Sequence, residues 1–154
     1  MMSKLENKIP PPIVMAIFGL LIWLCRDFWV QLPLGNGVRY LFGGALMVAA
    51  LVLDIIAFLE FRKFKTTVNP INPDKASLIV ASGIFSKTRN PMYLGMILLL
   101  SGWAILNTSL FGFLLVISFW AFITRFQIIP EERALTGKFG EEYRDYLAKV
   151  RRWL

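Results

Sequence analysis

The 154-residue chain is 56% hydrophobic and only 18% charged, with a net charge of +7 and a mean hydropathy of +0.59. Soluble domains carry about 25% charged residues, so this composition excludes an ordinary soluble domain, and the length fits one domain over residues 1–154. A basic balance in so apolar a chain points to anionic lipid headgroups and away from nucleic acid, and the lack of histidine removes the commonest metal ligand and general base.

The opening MMSKLENKIPPP has lysines but no small-residue cleavage site, so it reads as a retained cytoplasmic end. The charge-free run from Ile9 to Cys25 opens a first span, with PPP at its entry, where proline is tolerated. Its apolar character continues past Arg26 and Asp27 to Leu34, and PLGNG at 33–37 is a turn. Cys25 is the single cysteine, so no internal disulfide is expected.

A second span is expected from about Tyr40 to Phe61, with Gly43, Gly44, Ala45, Ala49 and Ala50 permitting close helix contact. Asp54 interrupts it. A carboxylate there must face the bundle, pair, or line a polar cavity, and a hydrogen bond to a neighbouring Ser, Thr or Asn is the bland reading. Glu60 and the basic Arg62, Lys63 and Lys65 mark the interface. Residues 63–90 then form a long loop, with Asn-Pro turns and with Ile79, Val80, Ile84 and Phe85 as packing anchors.

From Asn90 to Thr124 there is no formal charge for 35 residues. One straight helix of that length would measure about 52 Å, so the run is divided at LNTS into a hairpin, Pro91–Leu106 and Leu110 to about Ile129. Gly95, Ser101 and Gly102 offer the first arm a small-residue face for the second. Pro130 is expected to end the fourth span. In the tail, Phe139, Tyr143, Tyr146 and Val150 recur at helical spacing among Lys138, Lys149, Arg151 and Arg152, which fits an interfacial helix. The expected fold is an all-α integral membrane protein of four transmembrane helices with a cytoplasmic amphipathic C-terminal helix. Lys4, Lys8 and the two basic clusters place both termini in the cytoplasm, against a single opposing Arg39.

Two polar clusters meet the membrane at one face of this hairpin. In RNPMYLG (89–95), Pro91 sets the helix start, Asn90 is a candidate N-cap, Arg89 a headgroup-level cation and Tyr93 an interfacial ring. Glu131, Glu132 and Arg133 follow Pro130, and acidic residues favour a first turn, so a solvated helix start is the ordinary reading. Their closure onto one face makes a pocket open to water above and to lipid at its side.

At these residues the chain resembles the isoprenylcysteine carboxyl methyltransferase family and its bacterial relatives, a group also similar to phospholipid N-methyltransferases. The resemblance rests on GIFSKTRNPMYLG, the apolar hairpin and PEERALTGKFGEEYRDYLAKVRRW, covering residues 83–153, with weaker support from VNPINPDKASLIVASG. It implies S-adenosylmethionine held inside a membrane bundle, in keeping with the absence of a glycine-rich dinucleotide fingerprint. It further implies that Asn90, Pro91, Tyr93 and Gly95 frame the cofactor, that Glu131 and Glu132 hold its polar end, and that Tyr143 and Tyr146 close the pocket. Arg89 and Glu132 are the expected catalytic residues, Arg89 orienting an anionic acceptor or the cofactor carboxylate.

Asn90 stands where many relatives have histidine, so it can hydrogen-bond but not shuttle protons near neutral pH. The implied reaction is methyl transfer to a lipid-borne or hydrophobic acceptor, such as a prenylcysteine-like carboxylate, at the cytoplasmic face of a prokaryotic inner membrane. The compact chain leaves open a reduced substrate side or a homo-oligomer that completes it. A small transporter centred on Asp54 and a non-enzymatic membrane scaffold are the competing readings.

Overall fold

The structure, a computed structural model, describes residues 6, 8–28, 30–63 and 78–154. Lys4, Lys65 and the Asn-Pro turns lie outside the described residues. The described elements are helices α1 (Pro11–Leu24), α2 (Asn36–Lys63), a 3₁₀ turn (Gly83–Ser86), α3 (Pro91–Leu106), α4 (Leu110–Ile123), a π turn (Thr124–Ile128), α5 (Ile129–Phe139) and α6 (Glu141–Lys149).

Length corrects the expectation of four spans. Among the described residues, two helices are long and apolar enough to cross a bilayer: α2, with 28 residues, and the continuous helix Leu110–Phe139, with 30. The 14 residues of α1 extend about 21 Å and the 16 of α3 about 24 Å, both short of about 30 Å of hydrocarbon. The first segment does not run on to Leu34. It stops at Leu24, and a turn follows in which Arg26 pairs with Asp27 at 3.2 Å and Gln31 donates to the same carboxylate at 2.6 Å. Gln31 then forms an isolated bridge with Ser109.

Much of the apolar surface faces outward. Leu41, Val48 and Ile55 on α2 are 67%, 60% and 57% exposed, and Ile117 on α4 is 59% exposed. With so little of α2 buried, it cannot be the core helix of a soluble protein, and lipid is the environment that accepts such a face.

At the centre, α3 packs on α2, α1 and α4. A Cβ on Gly102 would fall 2.7 Å from the Gly43 carbonyl oxygen, so α2 and α3 meet backbone to backbone there. A Cβ on Gly95 would lie 2.2 Å from Asp54 Oδ1, the second contact point of the same pair. Gly95 and Gly102 thus accommodate α2, and not the second hairpin arm as the sequence suggested. Ile22, Leu100, Ala104, Phe119 and Ile123 fill the seam among α1, α3 and α4, with Phe18 edge-on to Phe119 at 5.5 Å.

The hairpin break falls at LNTS as expected. Thr108 takes a positive φ of 50°, and the Ser109 hydroxyl caps α4 by accepting from Gly112 N at 2.9 Å. Pro130, however, does not end the returning helix. A proline lacks an N–H and clashes with the carbonyl four residues earlier; the π turn just before it absorbs the misfit, and the helix continues to Phe139. Gly140, at φ 58°, separates α5 from α6. The expected stripe then packs inward: Tyr143, Tyr146 and Val150 are buried together against Ile79, Leu135 and Phe139. Val80 and Phe85 are likewise buried, against Ala57 and Phe61, so the anchors of the preceding loop hold it to α2.

Candidate functional site

Pro91 opens α3 at its first position, which brings Arg89 and Asn90 to the helix mouth. The antiparallel return of α4 and α5 sets Glu131 and Glu132 beside them. Arg89 Nη2 donates to Glu132 Oε1 at 2.7 Å, while Nη1 donates to the carbonyls of Leu147 (3.1 Å) and Val150. One buried guanidinium therefore caps the end of α6 and pairs with α5, satisfying carbonyls that the helix end leaves open. Arg89 Nε is buried and has no hydrogen-bond partner among the described residues.

Glu132 has a second cation. Arg152 reaches it in a two-pronged pair, Nε to Oε1 at 3.0 Å and Nη2 to Oε2 at 2.7 Å. Those bonds hold Arg152 above its ordinary range. The C-terminal tail is sewn down by its backbone as well: Arg89 N donates to Arg151 O at 3.0 Å, and Thr88 Oγ1 and Asn90 Nδ2 both donate to Arg152 O, at 3.3 and 2.9 Å. Asn90 is therefore not the side-chain N-cap of α3; its amide is turned to the tail.

Glu131 makes a different pair. Its Oε2 accepts from the buried Tyr93 hydroxyl at 3.3 Å. Tyr146 donates to Phe85 O at 2.7 Å, and its ring lies 5.9 Å from that of Tyr143. Burial pushes Tyr146 up to about 12, partly offset by Arg89, and pushes Tyr143 higher still, with Glu132 and Glu131 adding to the effect. Both phenols stay neutral donors throughout the physiological range.

The expected residues thus gather at one end of the bundle: Arg89, Asn90, Pro91, Tyr93, Glu131, Glu132, Tyr143 and Tyr146. Gly95 stands apart, turned to Asp54 on α2. The hydrogen bond expected of Asp54 is not made by Oδ1, which is buried and unpartnered among the described residues. Arg152 and Thr88 were not singled out by sequence reading, because one looks like part of a basic run and the other like loop polarity; only the fold brings them to Glu132 and Asn90. Arg133 turns away from this cluster and pairs with Glu6 at 3.4 Å, beside Arg125 at 3.1 Å. Glu60 forms a further clasp, accepting from Ser82 at 2.6 Å and Lys63 at 2.7 Å against Gly83, which has a positive φ of 56° and where a Cβ would lie 2.7 Å from the Glu60 carboxyl carbon.

A family model described as phospholipid methyltransferase matches residues 38–142. An uncharacterized protein of Haemophilus influenzae is 48% identical over 63 residues, which are 41% of this chain and the whole of that protein. No solved structure matches. Family membership implies S-adenosylmethionine and a lipid-type acceptor, and it sets aside the transporter and scaffold readings. The chain belongs to the phospholipid methyltransferase family and is a prokaryotic membrane enzyme, an S-adenosylmethionine-dependent methyltransferase.

Proposed function

We propose that the end of the bundle framed by Arg89, Tyr93, Glu131 and Glu132 holds S-adenosylmethionine and that the chain methylates a hydrophobic acceptor delivered from the bilayer. When bound, the cofactor supplies an electrophilic methyl group on sulfonium sulfur. The observation that carries the reading is the orphaned Arg89 Nε, a buried donor beside a pair of glutamates. A buried donor without a partner is costly, and the cofactor's carboxylate is an acceptor suited to it. Glu131, which accepts a hydrogen bond from Tyr93 alone among the described residues, suits the hydroxyls or ammonium of the same molecule.

In this reading Arg89 and Glu132 are positioning residues as much as contacts. Arg89 spends both Nη atoms on the fold, and Glu132 is held by two arginines, so together they fix the position of Arg89 Nε and of the neighbouring Glu131. Tyr143 and Tyr146 roof the site and keep water from it. Asn90, Pro91 and Gly95 shape it through the tail, the helix start and α2. A prenylcysteine-like carboxylate would need only alignment and desolvation, whereas an amine must also lose a proton, for which Glu131 or Glu132 is the available base.

The site would face the cytoplasm. Arg62, Lys63, Lys87, Arg125, Lys138 and Arg151 lie at its end of the helices, against Arg26 and Arg39 at the other.

Calorimetric titration of S-adenosylmethionine into the detergent-purified protein tests the proposal. Glu131→Gln keeps the shape and removes one charge-assisted bond, so affinity falls by about tenfold or more. Unchanged affinity in a variant with the wild-type unfolding temperature overturns the assignment.

A further inference from the structure

Away from the cofactor end, an open apolar groove of about 510 Å³ runs between α1 and α2 over the face of α3. Its walls include Met15, Gly19 and Trp23 from α1, Met47 from α2, and Leu99 and Trp103 from α3. Trp103 is fixed there by donating to Gly19 O at 3.0 Å. The neighbouring outer faces of α1 and α2 are exposed and apolar, so the groove lies open to lipid.

The direction of the groove is set by helical periodicity. On α3, Met96 lies one turn nearer the site than Leu99 and Leu100 and on the same stripe. Gly95 borders that stripe on the α2 side, against Asp54. Tyr93 borders it on the other side, in the core shared with Val14 and Ile128 and bonded to Glu131. On α2, Asp54 stands two turns beyond Met47 on the same face, with the buried Ala50 between them. A molecule lying along the groove would bring its leading end, about 9 Å further toward the site, between Asp54 and the Tyr93–Glu131 pair.

Asp54 offers an unusual partner at that point. A carboxylate in a spanning helix is costly unless something pairs with it, yet Oδ1 is buried and accepts no hydrogen bond among the described residues. An amphiphile with an apolar chain and a cationic head matches the groove and the carboxylate together. One with an anionic head would meet like charge from Asp54 on one side and Glu131 on the other.

We propose that Asp54 is a specificity-determining residue, the counter-charge for the ammonium head of an amine-bearing acceptor lipid whose alkyl chain occupies the α1–α2–α3 groove. The inference rests on the reading of the Glu131 end as the cofactor site, since that reading puts the methyl donor beside the head. It selects the amine over the carboxylate among the acceptors that reading admits.

The test uses the full chain in lipid nanodiscs and two photoactivatable probes that share one long alkyl chain, one ending in a primary amine and the other in a carboxylate. The wild type is expected to be labelled preferentially by the amine, with cross-links on α1 and α3 along the groove. Asp54→Asn should raise the half-saturating amine concentration by about tenfold or more while leaving carboxylate labelling unchanged or stronger. Gly19→Leu, which places a side chain in the groove, should reduce labelling by both probes. Equal labelling of the wild type by the two probes, indifference to Asp54→Asn, or cross-links elsewhere overturns the inference. Calorimetry of S-adenosylmethionine on the same samples separates the two ideas: Asp54→Asn should leave cofactor affinity intact, and a wild type that fails to bind cofactor refutes the cofactor site while the labelling still decides the role of Asp54.

Discussion

Arg89 and Glu132 stand 43 positions apart in sequence and 2.7 Å apart in space, and their side chains are only 9% and 14% exposed. Arg89 also caps α6, so its loss would leave Glu132 with Arg152 alone and open the carbonyls of Leu147 and Val150. Removing one member of a buried pair costs about 3–5 kcal/mol. Arg89→Ala is expected to destabilise the protein by that order in detergent unfolding, and Arg89→Lys by less, because lysine keeps the charge but not the planar fork. Wild-type stability in Arg89→Ala would mean that the guanidinium does not hold the tail.

The two glycine contacts of α3 should behave differently. A Cβ at residue 95 meets the end of the Asp54 side chain, which has freedom to turn, while one at residue 102 meets the Gly43 backbone and Met47. Gly102→Ala is therefore expected to be the more destabilising, at the upper end of about 1–3 kcal/mol for overpacking. The double variant Gly95→Ala with Asp54→Ala should recover much of the loss of Gly95→Ala, whereas no partner change on a side chain should rescue Gly102→Ala. Thermal unfolding of the four proteins reads this directly.

Tyr146 connects stability with pH. Its folded-state value, about 12, lies above the ordinary 10.0, so folding favours the neutral phenol. That contribution is complete below pH 10 and is lost as pH rises from about 10 through 12. Wild-type stability should decline across this window more steeply than that of Tyr146→Phe. At neutral pH the same variant loses the bond to Phe85 O, a cost of about 1–3 kcal/mol for a buried acceptor left unpaired. Parallel curves for the two proteins would show that Tyr146 ionises as freely folded as unfolded.

Local signals in the sequence marked many of the residues that the fold gathers at one end of the bundle, and the hairpin that brings them there. Pro91 announced the start of α3, LNTS the break, and the return of the chain put Glu131 and Glu132 beside Arg89. Periodicity also marked Tyr143, Tyr146 and Val150 as one face. Span number was misread for two reasons: the first apolar run breaks at a turn after Leu24, and the 16 residues of α3, bounded correctly, were counted as a span although they reach only about 24 Å. Pro130 was taken as a terminator because the π turn that accommodates it leaves no mark in composition. Arg152 and Asn90 depend on contacts across 20 and 62 positions, which no local pattern records. The small face of α3 was legible, but its partner was not, since glycine permits a close approach without naming the helix that makes it.

The most direct measurement is a structure of the protein in lipid with S-adenosylmethionine bound. If Arg89 and Glu131 frame the cofactor, its carboxylate lies within hydrogen-bonding distance of Arg89 Nε, its ribose or ammonium contacts Glu131, and Tyr143 and Tyr146 cover it. Cofactor found in the α1–α2–α3 groove, or at the Thr108 end of the bundle with Arg89 Nε still unpartnered, would contradict that arrangement.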